Sequence, residues 1–307
     1  VTVRAQAVVA VDLVNIGHWL RLLLGPPTTT GTSPNFIHTF ASGAAALPSN
    51  SIEIAYPEVP SFDVCAGVRA DTLELDFSPT GPATATLGLM GQGSVRTGTS
   101  GAGTPTSHAL TLFNKAQGSI SRNAAALAQV TGARLTYANG MEMVRTIRAD
   151  RRVEGVDPGV MRATGQITVR FENTTLLTQA QAGTSAEFAL AFTIDANRSL
   201  TLTLHEVYLA LAKTPIEEPA GVEASFDFRA AFNTTARRMM TAVLRNHQAG
   251  TPSAASRPWS AGRSTRSVAS ASWRTPPASP PTRCRLSAMP PPRWGFPMRN
   301  SSAACRR

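Results

Sequence analysis

Residues 9–27 read Val9-Ala10-Val11-Asp12-Leu13-Val14-Asn15-Ile16-Gly17-His18-Trp19-Leu20-Arg21-Leu22-Leu23-Leu24-Gly25-Pro26-Pro27, and the apolar period changes partway along them. Val9, Val11 and Leu13 alternate as in a strand with one face to bury, while Ile16, Trp19, Leu20, Leu23 and Leu24 make a stripe at helical spacing. Asn15 offers a side-chain oxygen as N-cap. Gly25 tolerates the left-handed conformation that closes a helix, and Pro26-Pro27 cannot continue one. A strand running directly into a short helix is the expected opening of the fold.

The signature returns further on. Arg4, Ala5, Val11, Asn15 and Gly25 recur as Arg162, Ala163, Val169, Asn173 and Gly183, all displaced by 158 positions, and Leu13 meets Phe171. Asn173 is then the expected cap of a weaker helix through Leu176, Leu177 and Ala180, ending at Gly183. Ala66-Gly67-Val68-x-Ala70 also reappears as Ala220-Gly221-Val222-x-Ala224, displaced by 154. Alternating residues follow each copy: Leu73, Leu75 and Phe77 in one, Phe226 and Phe228 in the other. Two matches in the same order point to a tandem repeat of one fold.

Strands dominate elsewhere. Ile52, Ile54 and Tyr56 alternate with Glu53 and Ala55, and Phe188, Leu190, Phe192 and Ile194 with small or polar partners, so each strand has one face to bury. From Ser199 to Ala212 the apolar set Leu200, Leu202, Leu204 shifts phase to Val207, Leu209, Leu211, which places a bulge at His205-Glu206. The Gly-, Ser- and Thr-rich stretch 91–108, with Arg96 its one charge, is too long and polar for a hairpin turn and is expected to be mobile in a free subunit.

Composition divides the chain. Residues 257–307 hold ten Arg, nine Pro and three of the four Trp, with no Lys, Asp or Glu. The remaining nineteen basic residues of 1–256 cancel its nineteen acidic ones, so the high isoelectric point belongs to the tail alone. Proline at this density closes off helix and sheet interiors. Two readings of the tail stand side by side: an arginine-rich arm for nucleic acid, or the product of a GC-rich gene read out of frame after Ser256. The body has no apolar run near the roughly 18 residues a membrane span needs, and its start lacks a signal-peptide pattern. Cys65 is its one cysteine, so neither a disulfide framework nor a zinc spacing exists there, and a reducing compartment is the default. A strand so soon after Val1 suggests a missing initial segment.

The chemistry-bearing residue types form no recognisable constellation. The five His (18, 38, 108, 205, 247) are scattered, with no His-x-x-x-His, Cys-x-x-Cys or Gly-x-Ser-x-Gly. His18 and His205 read as satisfied structural histidines. Gly25 to Ser33 lacks the Lys of a phosphate loop, and Gly88, Gly91 and Gly93 have the wrong order for a dinucleotide fingerprint, so both read as turns. Arg145, Arg148, Arg151 and Arg152 interleave with Glu142, Asp150, Glu154 and Asp157, as on a solvated face or a charge-complementary contact between subunits. Glu217-Glu218 between Pro215 and Pro219 reads as an exposed loop. No catalytic, cofactor-binding or metal-binding residue is assigned, no cofactor is implied, and the chain does not read as an enzyme.

Val9 to Leu13 into Gly17 to Gly25, then Phe36-Ile37-His38-Thr39-Phe40, Ser51-Ile52-Glu53-Ile54 and Cys65-Ala66-Gly67-Val68, together resemble the tail tube (major tail) proteins of long-tailed bacteriophages. Gly165 to Phe171, Ser199 to Leu202 and Thr241 to Asn246 look like the same family, so the resemblance covers roughly residues 8–248. It implies a mainly β fold of two tandem tail-tube-like β-sandwich or partial-barrel domains, each with a short helix. The boundaries would be 1–115 and 116–250, followed by a disordered Arg/Pro-rich tail over 251–307. It further implies rings that close a β-barrel across subunits: a trimer with pseudo-hexameric symmetry, or a hexamer. Stacked rings would form the tube that delivers the genome, with other tail proteins as partners and DNA passing without sequence-specific binding. The place of action would be the virion tail, after synthesis in the host bacterial cytoplasm, with no membrane partner. The alternatives are a carbohydrate- or receptor-binding β-sandwich of a phage tail, which needs an exposed aromatic platform, and a nucleic-acid binder acting through the basic tail.

Overall fold

Alternating and β-branched segments become strands throughout. The computed structural model describes residues 3–56, 58–102, 110–127, 129–147, 152–170, 174–211, 223–250 and 268–270. In chain order the elements are β1 (Val3–Ala10), α1 (Ile16–Leu24), β2 (Thr28–Thr32), β3 (Asn35–Ala41), β4 (Asn50–Tyr56), β5 (Ser61–Phe77), β6 (Thr84–Gly91) and β7 (Gly93–Thr97). A 3-10 turn (Lys115–Gln117) leads to β8 (Gly118–Arg122), β9 (Ala125–Ala126), β10 (Val130–Ala138), β11 (Glu142–Val144) and β12 (Gly155–Asp157). The later half holds β13 (Arg162–Arg170), α2 (Thr175–Ala182), β14 (Ala186–Asp195), β15 (Arg198–Leu209), β16 (Glu223–Ala230) and β17 (Met240–Asn246). Val268–Ser270 forms β18, parallel to β4, inside the stretch expected to be unstructured; the rest of 251–307 lies outside the described residues. The chain is mainly β with two short helices, as the sequence implied.

One sheet path runs β1-β6-β5-β10-β13-β16-β15-β14-β8-β9. Two stretches of it share an order of connection and pairing. In the first, β1 leads into α1, and β4, β5 and β6 pair in series back to β1. In the second, β13 leads into α2, and β14, β15 and β16 pair in series back to β13. Both long middle strands also pair with a strand continuing the third: β7 lies along β5, and β17 along β15. Cys65 stands between Ile52 and Ser94 as Leu202 stands between Leu190 and Ala242. The displacement of 158 therefore joins strands in corresponding places. The displacement of 154 does not, because Ala66–Ala70 lies in β5 whereas Ala224 lies in β16, which occupies the place of β6. The β2–β3 hairpin of the first half has no counterpart in the second, since the link between α2 and β14 has no room for one.

Helix α1 buries Ile16, Trp19, Leu20, Leu23 and Leu24, the whole expected stripe. Its N-terminus is held differently from expectation. Asn15 has helical torsions and makes no capping bond. The buried Asp12 carboxylate instead accepts the Ile16 N–H at 3.0 Å and the Asn15 side-chain amide at 2.8 Å. Gly25, at φ 98°, donates its N–H to the Arg21 carbonyl and ends the helix as expected. Asn173 lies outside the described residues; Gly183 closes α2 in the left-handed conformation.

Four further expectations change. Thr28–Thr32, read as part of a turn, pairs with β3 as a strand. Gly88, Gly91 and Gly93 lie in β6 and β7 rather than in turns. Gly93–Thr97, read as mobile, continues the line of β6 along β5, and Glu53 accepts the Gly101 N–H at 2.8 Å and the Ser100 hydroxyl. Residues 103–109 lie outside the described residues. In β4 the buried face carries Glu53, while Ile52 and Ile54 are half-buried and Tyr56 is exposed, because these loop donors satisfy the carboxylate.

A single main hydrophobic cluster draws on both halves. Phe77 of β5 stacks on Phe192 of β14 with ring centroids 4.4 Å apart and planes 7° apart, and Phe113 leans on the same ring. Residues Val1–Ser272 form one unit; Trp273–Arg307 lies outside the described residues.

Candidate assembly surface

Alternation gives the sheet two unlike faces. In β16, Ala224, Phe226, Phe228 and Ala230 are buried and Glu223, Ser225, Asp227 and Arg229 are exposed. The same division runs across β13, β10, the end of β5, β6 and β1, where Ala163, Ile167, Leu135, Leu73, Leu87 and Ala7 point inward. Opposite them lies a face of Thr, small residues and charges. Glu74, Thr136, Thr164 and Arg229 form one row across four strands, and Asp76, Arg134, Gln166 and Asp227 form the next.

Cross-strand bonds bind this face laterally. Arg134 pairs with Glu74 at 2.7 Å, Gln166 donates to Asp227 at 2.8 Å, Thr168 meets Ser225 at 3.0 Å, and Lys115 reaches Asp76 at 2.5 Å. Arg4, Arg134, Arg162, Arg170 and Arg229 are set against Glu74, Asp76, Glu223 and Asp227, so the signs nearly balance. A balanced face offers phosphates little of the counterion release that drives nucleic-acid binding. On the opposite, inward side Gly165 lies between Leu135 and Phe228: an added Cβ would lie 2.0 Å from the Arg134 carbonyl oxygen and 2.5 Å from the Phe228 ring.

The edges are the second feature. β1 pairs with β6 on one side only among the described residues, leaving a row of backbone donors and acceptors along its other side. The end of β15 is similar. Its pairing with β14 stops at Val207 opposite Ala186; beyond that, Tyr208 and Leu211 are exposed.

His38 and His205 brace the scaffold rather than forming a reactive cluster. His38 of β3 is fully buried, with Nδ1 2.8 Å from the Thr29 hydroxyl and Nε2 facing the Asn246 side-chain oxygen and the Gln248 carbonyl. Asn246 in turn donates to the Leu13 carbonyl. His205 sits at the expected bulge, where the register of β14 on β15 slips between Leu204 and Val207, and bonds Glu187 and Thr241. Cys65 is buried in β5, and burial pushes its thiol pKa up.

Among the described residues no group of three His, Cys, Asp or Glu is placed to hold a metal ion. No described helix is long and apolar enough to cross a membrane. Among the described residues the large exposed aromatics are Tyr56 in β4, Tyr208 in β15 and Phe232 in the link after β16. In the arginine cluster, Arg145 lies beside β11, whereas Arg148 and Arg151 lie outside the described residues, as do Glu217 and Glu218. Sequence reasoning singled out Arg4 and Arg162 of the polar face only as members of the repeat, not as parts of a common surface. Their exposed positions in alternating strands were legible, but which strands lie side by side was not.

These features define a predominantly β protein whose distinguishing parts are a polar sheet face and open strand edges. A family model described as phage tail tube protein matches residues 1–230. The chain belongs to that family, whose members are structural components of the phage tail. No curated protein matches it.

Proposed function

We propose that this chain is the building block of a tail tube, in which copies join edge to edge into rings and stacked rings enclose the channel that delivers the genome. The observation that carries this reading is the pairing of a one-sided polar sheet with an open edge at β1. Ring closure removes such an edge. The repeated strand order supports a tandem duplication, so three chains would give six similar units around the axis, a pseudo-hexamer. The polar face would line the channel, its near-balanced charge letting DNA pass without sequence-specific binding. Contacts would be with further copies and other tail proteins; the role is structural rather than enzymatic. The protein would be made in the host bacterial cytoplasm and act in the virion.

Electron microscopy of the purified protein over a concentration series tests the reading. Rings or tubes with a central channel, and a threefold multiple of the chain mass in solution, are expected. A chain that stays monomeric at the highest concentration would sink it.

A further inference from the structure

Asn139-Gly140 is the one Asn-Gly pair in the chain. In such a pair the glycine nitrogen can reach the side-chain amide before it, because no Cβ obstructs the approach. The fold fixes both residues. Gly140 is exposed at φ 61°, and a Cβ on it would lie 2.7 Å from the Val160 carbonyl oxygen. Asn139, just beyond β10, is 4% exposed and ties three elements together. Its side-chain nitrogen donates to the Leu23 carbonyl at 2.8 Å and to the Ala70 carbonyl at 3.3 Å. Leu23 lies in the last turn of α1, where carbonyls lack a partner within the helix, and Ala70 lies where the register of β5 on β6 slips. The side-chain oxygen accepts the buried Tyr137 hydroxyl at 3.1 Å. The backbone is held as well: the Asn139 N–H donates to the Asp71 carbonyl at 2.8 Å, and its carbonyl accepts the Gly159 N–H at 3.2 Å.

We propose that Asn139 is a deamidation site of the unfolded chain which folding closes, so that a chain left unfolded loses the capacity to fold. The only co-reactant is water. The Gly140 nitrogen gives up its proton and bonds to the Asn139 Cγ; the Cγ–Nδ2 bond breaks, ammonia leaves, and a cyclic succinimide forms. Water then opens the ring at either carbonyl, giving aspartate or its β-linked isomer, with no change of oxidation state. In the folded chain the first step is blocked, since the amide would have to leave Leu23, Ala70 and Tyr137 to meet its own backbone. After the reaction the fold cannot be regained. Ionised aspartate offers only acceptors where Leu23 and Ala70 present carbonyl oxygens, and its charge would be buried. The β-linked isomer also lengthens the backbone between the bonds to Asp71 and Gly159.

The full chain is aged in guanidinium chloride and in native buffer, at the same mildly alkaline pH and temperature, while peptide mass spectrometry follows Asn139. A reaction that needs an opened state tracks the population of that state, so the native chain is expected to deamidate at least about a hundredfold more slowly. On dilution from denaturant, the refolded fraction, read by near-ultraviolet circular dichroism, is expected to fall in step with intact Asn139. Equal rates in the two states, or refolding that survives loss of the amide, would overturn the proposal.

Two variants separate the chemistry from the structural role. Gly140→Ala, aged in denaturant where its folding is irrelevant, is expected to lag behind wild type, because the added Cβ hinders the attack. An equal rate would exclude the Gly140 nitrogen as the attacking group. Asn139→Asp is expected to lower the denaturation midpoint or to yield no native chain, and a wild-type midpoint would contradict the loss of folding capacity.

Discussion

Asp12 shows how a single side chain sets the entry to α1. Its carboxylate occupies the capping role that the sequence suggested for Asn15, because Asn15 has already entered helical torsions. Local preference ranks Asn and Asp almost equally as caps, so the choice between them depended on the backbone path. Asp12→Ala leaves the buried Ile16 N–H without its acceptor and is expected to cost about 1–3 kcal/mol in denaturant unfolding. Burial raises the Asp12 pKa, with the Ile16 N–H and Asn15 pulling the other way. The folded chain therefore holds this proton more tightly than the unfolded chain. Its stabilising contribution is complete below the unfolded pKa and is lost as pH rises through the folded one. Against Asp12→Asn, which does not titrate, the wild type should gain relative stability as pH falls from about 7 to about 4, and an unchanged difference would contradict the burial argument. Asp63 and Asp195 have the opposite sign, since Arg96 and Arg198 hold their pKa values down. Their contributions are present above the unfolded pKa and fade in acid.

At the level of strands and helices, periodicity was legible and partnership was not. The stripe of α1, the stop at Gly25 and the phase shift at His205-Glu206 follow from local spacing, and all three are found. The strand β7 was hidden because Gly93 to Thr97 lacks apolar alternation and is held by its register on β5. Glu53 reversed the reading of β4 because a carboxylate buries when loop donors reach it, and no pattern within the strand reveals those donors. Gly88 illustrates partnership directly: a Cβ there would stand 2.3 Å from the Thr72 hydroxyl on the neighbouring strand. Gly88→Ala is expected to destabilise by about 1–3 kcal/mol, and adding Thr72→Ala should recover most of that loss. Thermal melts of the single and double variants would show it, and equal loss in both would rule out this collision as the cause.

Over the whole molecule, the two halves share a core as well as a sheet. Phe77→Ala removes the ring stacked on Phe192 and is expected to cost about 3–5 kcal/mol while keeping a single unfolding transition, since both halves pack on those rings. Two resolved transitions in calorimetry would instead mean that the halves unfold separately. Charge belongs to the same scale. Truncation after Gly250 removes all ten Arg of the tail, so any affinity for DNA should fall and its salt dependence flatten, whereas ring formation should persist. Loss of rings on truncation would assign the tail a part in assembly. The neutral body could be deduced by counting residues; the polar face could not, because it arises only when β13 comes to lie beside β10 and β16 beside β13.

The β2–β3 hairpin near the start of the chain is zipped along β17 near the end of the body, Phe36 opposite Asn246 and Ala41 opposite Thr241. A ribosome must therefore release almost the entire body before this clasp can shut, and long-range pairing of this kind forms slowly. Nascent chains would wait with the hairpin unmatched, and polymerisation would begin from finished molecules rather than from fragments still being translated.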